Sequence, residues 1–201
     1  GSDVVAVPYR RPGFLLSREV AQTVLKNPAA KGVALLNHGL VPWGSTSQTS
    51  YETHIDLICR AEEYIQKRTM GRSVFGVTTA QAALEPEQRR TVAAAVAPTL
   101  RRLVASGTAR RRVVLRFDDS PDVLEFVGYG KASDLVEAGA ATPDHLLSTK
   151  RPPLLVETTD PSNVAEVRRV LEEGVARYEQ AYIEWFRRHA QAGQEMLDPH
   201  P

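Results

Sequence analysis

The sequence lacks the features that are typical of disulfide-bonded, membrane-spanning or nucleic-acid-binding proteins. Cys59 is the single cysteine among 201 residues, so no intramolecular disulfide can form. Its apolar neighbours predict a buried thiol in a reducing compartment. Lysine and arginine number 25 against 24 for aspartate and glutamate, so the excess positive charge that attracts nucleic acid or anionic membrane is missing.

Long apolar runs are also missing. No stretch approaches the roughly 20 residues that span a bilayer, and the first residues do not resemble an export signal. We therefore expect a soluble, cytoplasmic protein that binds neither membrane nor nucleic acid. The 42% hydrophobic and 24% charged residues are typical of globular proteins. A chain of this length can bury roughly 70% of its unfolded surface, which is enough for a sizeable core.

Local patterns in the first third alternate between strand and helix. A strand is predicted over 3–9, followed by a helix with Ser17 as its N-cap that ends near Asn27-Pro28. The apolar run over 32–37 predicts a strand covered on both faces. A second extended segment over 40–44 leads to Ser45, Thr46 and Ser47 as helix caps. In the helix that follows, one face carries Tyr51, Ile55, Ile58 and Ile65.

The rest of the chain begins with a looser connector and a subdomain boundary near residue 75. Pro86 suits the first turn of a helix. Strands are predicted over 112–117 and 154–156, and the pattern over 123–127 fits a short helix or strand equally. Asn163 is predicted to cap a long final helix. The last residues have no periodicity and are expected to form a linker.

His38 is the most informative single residue at this stage. It directly follows the buried strand over 32–37 and precedes Gly39, which places it at the carboxyl edge of a sheet. Ligands and metals commonly bind at that edge in α/β proteins. A lone histidine is nevertheless more often a hydrogen-bonded structural residue, so both interpretations stay open on pattern alone.

A set of short segments, in this order and spacing, resembles the class II aldolase/adducin family. They are Val7-Pro8-Tyr9, Pro12-Gly13, Leu16, Val20, the run from Gly32 to Gly39, Gly44 and the helix carrying Glu62-Glu63. The resemblance implies an α/β fold in which residues 1–74 form the C-terminal half of a three-layer α/β/α aldolase domain. It also implies that His38 is one of three zinc-ligating histidines.

Later segments are similar to a longer branch of that family, the rhamnulose-1-phosphate aldolase/short-chain dehydrogenase fusions. They are residues 141–151, 114–121 and the helix from Tyr178 to His189. This resemblance implies a middle fragment of a fused protein. Residues 75–192 would be a small α+β extension ending in a long C-terminal helix, and 193–201 a linker toward an absent dehydrogenase domain.

The implied chemistry is retro-aldol cleavage of a ketose phosphate, in which negative charge accumulates on the carbonyl oxygen. A zinc ion beside that oxygen stabilises the charge, and a catalytic zinc takes three protein ligands. In the resembling aldolases two ligands come from a His-x-His pair with an acidic residue nearby. No such pair occurs here, so the general acid/base is expected upstream of Gly1. The fragment alone is expected to be inactive and to hold no stoichiometric zinc.

Two further predictions concern binding of the phosphorylated substrate and of a nucleotide cofactor. His145, Lys150 and Arg151 form a polar group that either faces the phosphorylated substrate, with His145 transferring a proton, or is a surface loop before Pro152-Pro153. No Gly-x-Gly-x-x-Gly fingerprint occurs, so NAD(P) binding is expected only in the absent C-terminal domain.

Two functions from different classes remain at this stage. The first is a lyase domain that cleaves a sugar phosphate such as rhamnulose 1-phosphate when the upstream half completes its zinc site. The second is a non-catalytic, adducin-like oligomerisation or binding module. In both cases a homo-oligomer is expected.

Overall fold

The structure is a computed structural model in which two compact units are distinguished. It describes residues 3–70, 72, 75, 84–105, 113–142, 145–146, 149–196 and 198–201. One unit, the sheet unit, comprises residues 1–74 and 140–149, and the other, the helical unit, comprises residues 75–139 and 150–201. The elements in chain order are β1 (Val4–Val7), α1 (Phe14–Lys26), β2 (Gly32–Leu35), β3 (Gly39–Pro42), α2 (Ser47–Thr69), α3 (Pro86–Val104), α4 (Pro121–Val127), α5 (Ala132–Ala138) and α6 (Val164–His189).

A small mixed sheet with the order β1-β2-β3 organises the sheet unit. β1 and β2 are parallel, with Val7 opposite Leu35, and β2 and β3 are antiparallel, with Leu35 opposite Gly39. Val7 and Val33 are fully buried, which follows from the apolar run that predicted the central strand. The combination of helices with a sheet containing a parallel pair agrees with the predicted α/β class. The three-layer arrangement stays a prediction.

The start of α1 differs from the sequence prediction. Ser17 was expected to cap this helix, but the helix already begins at Phe14, and the Ser17 backbone N–H donates to the Gly13 carbonyl at 3.2 Å. Gly13 has φ 144°, a value that favours glycine and allows the chain to turn into the helix earlier. The helix ends at Lys26, next to the predicted end near Asn27-Pro28. Pro28 accounts for this end, because it disfavours helical geometry at Asn27.

The cap of α2 agrees with prediction. The Thr46 side chain accepts from the Thr49 backbone N–H at 3.1 Å, and Thr49 Oγ1 accepts from the Thr46 backbone N–H at 2.9 Å. These reciprocal bonds satisfy two donors that a helix N-terminus otherwise leaves unpaired.

The buried side of α2 is not the apolar face predicted from the sequence. Leu57 is the residue that packs inward, and its Cδ1 lies 3.0 Å from the Cβ position that a side chain at Gly32 would occupy. The predicted face is exposed; its members are Tyr51, Ile55, Ile58 and Ile65. The prediction that Cys59 is buried was wrong, since it is exposed. Two residues along a helix is a rotation of about 200°, which turns Cys59 away from the side that buries Leu57.

An ion pair connects the start of β1 to α2. Arg60 donates to both carboxylate oxygens of Asp3, at 2.8 and 3.0 Å. This hydrogen bonding lowers the pKa of Asp3 from 3.8 to about 2. Because the folded-state pKa is depressed, the stabilising effect is present above pH 3.8 and is lost as the pH falls toward 2.

Asp3→Asn is therefore expected to lower the melting temperature at neutral pH. It should also flatten the dependence of melting temperature on pH between 3.8 and 2, so that variant and wild type converge in acid. Circular dichroism melts at several pH values measure both effects. Asp56→Asn is the matched control, because Asp56 contacts Arg60 at a longer 3.5 Å. An equal loss in both variants would contradict the assignment to Asp3.

Helix ends in the helical unit follow the predicted signals. Pro86 is the first residue of α3. The Asn163 side chain accepts from the backbone N–H groups of Ala165 and Glu166 at 3.1 and 3.2 Å, which confirms it as the cap of α6. Residues 121–127 form the short helix α4, which decides between the two predicted alternatives.

The two strands predicted in this unit are not found. Within the described residues, neither 113–117 nor 154–156 pairs with another strand, and residue 112 lies outside them. Leu154 and Val156 instead pack against α6 at Gly174, where an added Cβ would lie 2.8 Å from Val156 Cγ1. Val114 is 93% exposed. A short apolar run does not reveal whether a segment pairs with other strands or only packs in an extended conformation. Residues 154–156 pack against α6, and no hydrogen-bonded partner strand is found among the described residues.

Among the described residues, no helix combines the length and the apolar character that a membrane span requires.

Candidate functional site

His38 lies in the turn between β2 and β3. Its backbone N–H donates to the Leu35 carbonyl at 3.0 Å, and Asn37 has φ 58°. Asparagine tolerates this left-handed conformation better than most residues. Because β1 and β2 run parallel, the turn stands at the carboxyl edge of this pair, where the sequence predicted it.

The exposure of His38 does not exclude contact with a ligand. The residue is partly exposed, while its Nδ1 atom is buried. A ring sealed among apolar neighbours would have excluded contact with a ligand or a metal. The position of His38 is therefore compatible with binding, and its role as a ligand stays a prediction.

A distant segment of the chain lies against this turn. Asn37 Nδ2 donates to the Ala141 carbonyl at 3.3 Å, across 104 residues of sequence. Residues 140–149 belong to the same compact unit as the sheet. His145 is exposed and its carbonyl accepts from the Thr149 N–H and hydroxyl at 2.9 and 2.8 Å. Four residues span at most about 14 Å, so His145 remains near the anchored end of its segment.

Lys150 and Arg151 belong to the helical unit, whereas His145 belongs to the sheet unit. The Lys150 Nζ lies 5.2 Å from the centre of the Tyr182 ring. Arg151 donates to the Glu137 carbonyl at 2.9 Å and lies 3.7 Å from its carboxylate. The structure thus divides the three predicted residues between two units, and their joint role stays a prediction.

A metal site requires several histidine, cysteine or carboxylate side chains close together. Among the described parts of the chain, no three such groups meet in a geometry that could hold an ion. A catalytic zinc takes three protein ligands, so the described residues do not supply a complete set around His38.

A polar cluster around His200 was not predicted from the sequence. His200 is 9% exposed, with Nδ1 at 2.8 Å from Asp198 and Nε2 at 3.2 Å from Glu179 on α6. Burial raises the pKa of Asp198, but hydrogen bonds from His200 outweigh this effect and lower it. Within the segment predicted as a linker, His200 thus contacts Glu179 on α6, and the linker role stays a prediction. Only the spacing of Asp198 and His200 hinted at their mutual contact.

The sequence is similar to known proteins. Residues 91–201, more than half of the chain, match the family model described as "Aldolase class II, second domain". The chain belongs to the class II aldolase family.

A curated relative extends over the whole chain. It is the "Uncharacterized oxidoreductase YuxG" of Bacillus subtilis (strain 168), 38% identical over 202 residues. The alignment covers 100% of this chain and 29% of that relative. No solved structure matches the chain. The predicted class II aldolase family is thus confirmed, and an oxidoreductase name on the longer relative is consistent with a fused protein.

Proposed function

We propose that this chain is part of a longer, zinc-dependent aldolase that cleaves a ketose phosphate such as rhamnulose 1-phosphate, and that His38 supplies one metal ligand. Class II aldolases are generally zinc-dependent. The observation that carries the proposal is the position of His38, partly exposed at the carboxyl edge of the parallel pair. A metal ligand in this family needs that combination of a fixed backbone and an accessible ring.

The rest of the centre would come from residues outside this chain. The described residues supply no three-ligand group, and the chain spans 29% of the relative's length. The longer protein therefore has ample sequence to contribute the remaining ligands and the general acid/base. His145 is a candidate for proton transfer, and Lys150 and Arg151 for phosphate binding. Fusion to a short-chain dehydrogenase, with its NAD(P), would also lie outside this chain.

An assay of the longer protein tests this function. Retro-aldol cleavage of a ketose 1-phosphate between C3 and C4 releases dihydroxyacetone phosphate, which a coupled enzyme detects. We expect activity toward one member of a panel of ketose phosphates, loss after treatment with a chelator, and recovery on adding zinc. Absence of cleavage across the panel in the zinc-loaded protein would contradict the proposal.

A second function, assembly, is favoured by a separate observation. The apolar face of α2 is solvent-exposed, with Tyr51 at 67%, Ile55 at 42%, Ile58 at 40% and Ile65 at 57%. These residues recur at helical spacing, so they form an apolar stripe, interrupted by Glu62, of the kind that mediates protein contacts. The non-catalytic alternative is an adducin-like module that assembles through this stripe.

Light scattering of the chain tests this alternative. Ile55→Ser with Ile58→Ser should shift a self-associating chain to a smaller mass. Val114→Ser with Val127→Ser removes exposed apolar side chains from the helical unit and should leave the mass unchanged. A monomer in all three proteins would remove the support for assembly through α2.

A further inference from the structure

A cleft in the helical unit lies between α6 and the segment 151–157. Its volume is about 590 Å³, within the range of small-molecule sites. The Tyr178 hydroxyl donates to the Pro152 carbonyl at 2.8 Å, which joins the two walls. Close packing of Val156 on Gly174 holds them together further along α6. The cleft is thus bounded by direct contacts within one unit.

One wall of the cleft is aromatic. Tyr182 and Trp185 are stacked, with ring centres 5.8 Å apart and planes inclined by 29°, and both line the cleft. Trp185 is 39% exposed although it is a large apolar side chain. A cleft of this size with aromatic side chains in its lining suits a ligand with an apolar or aromatic body.

The rim of the cleft is cationic. Arg151, Arg177 and Arg188 line it together with the carboxylates Glu137 and Glu157. Arg151 already contacts Glu137. Among the described residues, neither Arg177 nor Arg188 has a carboxylate within ion-pair distance.

The two unpaired guanidinium groups stand on one side of α6. They are 11 residues apart, which is a rise of about 16 Å along the helix, with Ala181 and Trp185 between them at helical spacing. Guanidinium groups bind phosphate and carboxylate through paired hydrogen bonds. A flat ligand on the aromatic wall would meet a cation at either end.

We propose that this cleft binds an organic anion with a flat or apolar body, such as a phosphorylated or carboxylated aromatic compound. All of its lining residues belong to the helical unit, whereas His38 belongs to the sheet unit. The existence of the site does not depend on the aldolase activity proposed above. The cleft would give the helical unit a ligand-binding function of its own.

A fluorescence titration of the chain tests the site. The chain has two tryptophans, so Trp43→Phe leaves Trp185 as the reporter. The probe is anilinonaphthalenesulfonate, an aromatic anion, and its uncharged counterpart is phenylnaphthylamine. We expect saturable quenching of Trp185 by the anion, with an affinity at least about fivefold higher than that of the uncharged compound.

Matched variants separate the cleft from nonspecific binding. Arg177→Gln with Arg188→Gln should weaken binding of the anion by about tenfold and leave the uncharged probe unaffected. Arg169→Gln with Arg187→Gln removes the same charge from α6 outside the cleft and should change neither. Ala181→Trp fills the cleft and should abolish binding of both probes, with folding checked by circular dichroism.

The proposal is overturned by any of three results. They are equal affinity for the two probes, equal weakening by the two arginine pairs, and the absence of saturable binding in the folded Trp43→Phe chain. Each result would mean that the cations and the aromatic wall do not act together on a ligand.

Discussion

Replacing His38 by alanine in the longer protein is expected to lower kcat/KM for ketose phosphate cleavage by at least about 100-fold. Removal of one imidazole from a three-ligand centre weakens metal binding and exposes the remaining ligands to water. Steady-state kinetics of the purified variant, assayed by release of dihydroxyacetone phosphate, give the comparison. The loss should appear in kcat, because a zinc ion held there would stabilise charge that develops during the reaction.

His189→Ala is the matched control for this variant. His189 stands at the end of α6, where it stacks on Trp185 with ring centres 5.0 Å apart. It has no place in the proposed centre, so kinetics should remain within about twofold of the wild type. If His38→Ala retained full kcat while binding wild-type amounts of substrate, His38 would be a structural residue of the turn.

Gly44→Ala is expected to lower the free energy of unfolding of the sheet unit by about 2–3 kcal/mol. A Cβ at this position would lie 2.5 Å from the Ser50 backbone nitrogen and 2.7 Å from the Thr49 carbonyl carbon. Both atoms belong to the first turn of α2, so they cannot move without disturbing its capping box. Urea unfolding followed by Trp43 fluorescence, in a Trp185→Phe background, measures the loss.

Gly39→Ala tests whether the effect is specific to Gly44. No atom lies within 4 Å of a Cβ added at Gly39, which starts β3. This variant should therefore change the free energy of unfolding by no more than about 0.5 kcal/mol. Equal destabilisation by the two variants would contradict contact with α2 as the cause, because the reduced backbone freedom of alanine by itself favours the folded state.

Elements with strong local signals were predictable from the sequence. The caps at Thr46 and Asn163 and the proline start of α3 depend on atoms within a few residues of each other. The central strand β2 was identified by its apolar run, since burial on both faces requires such a run. These features need no knowledge of distant contacts.

Features set by distant contacts were not predictable. The segment 154–156 has the composition of a strand, and only the small Gly174 on α6 explains why it packs against a helix. The exposed side of α2 could not be chosen from periodicity, because an apolar stripe does not reveal which partner covers it.

In the candidate site, too, the locally determined features were predictable and those set by distant contacts were not. The place of His38 follows from the strand before it and the glycine after it. The hydrogen bond between Asn37 and Ala141 spans 104 residues, and no local pattern encodes it. The cleft in the helical unit was also missed, because Arg177, Trp185 and Arg188 appear in sequence as an ordinary charged helix. Their common position in a cleft is visible only in the structure, where segment 151–157 forms the opposite wall.

The zinc content of purified protein tests the central claim most directly. The longer protein should hold about one zinc per chain, its His38→Ala variant far less, and the 201-residue chain alone no tightly held zinc. Elemental analysis after dialysis gives all three values. Retention of one zinc per chain by the His38→Ala variant would contradict the assignment of His38 as a ligand, and so would a tightly held zinc in the isolated chain.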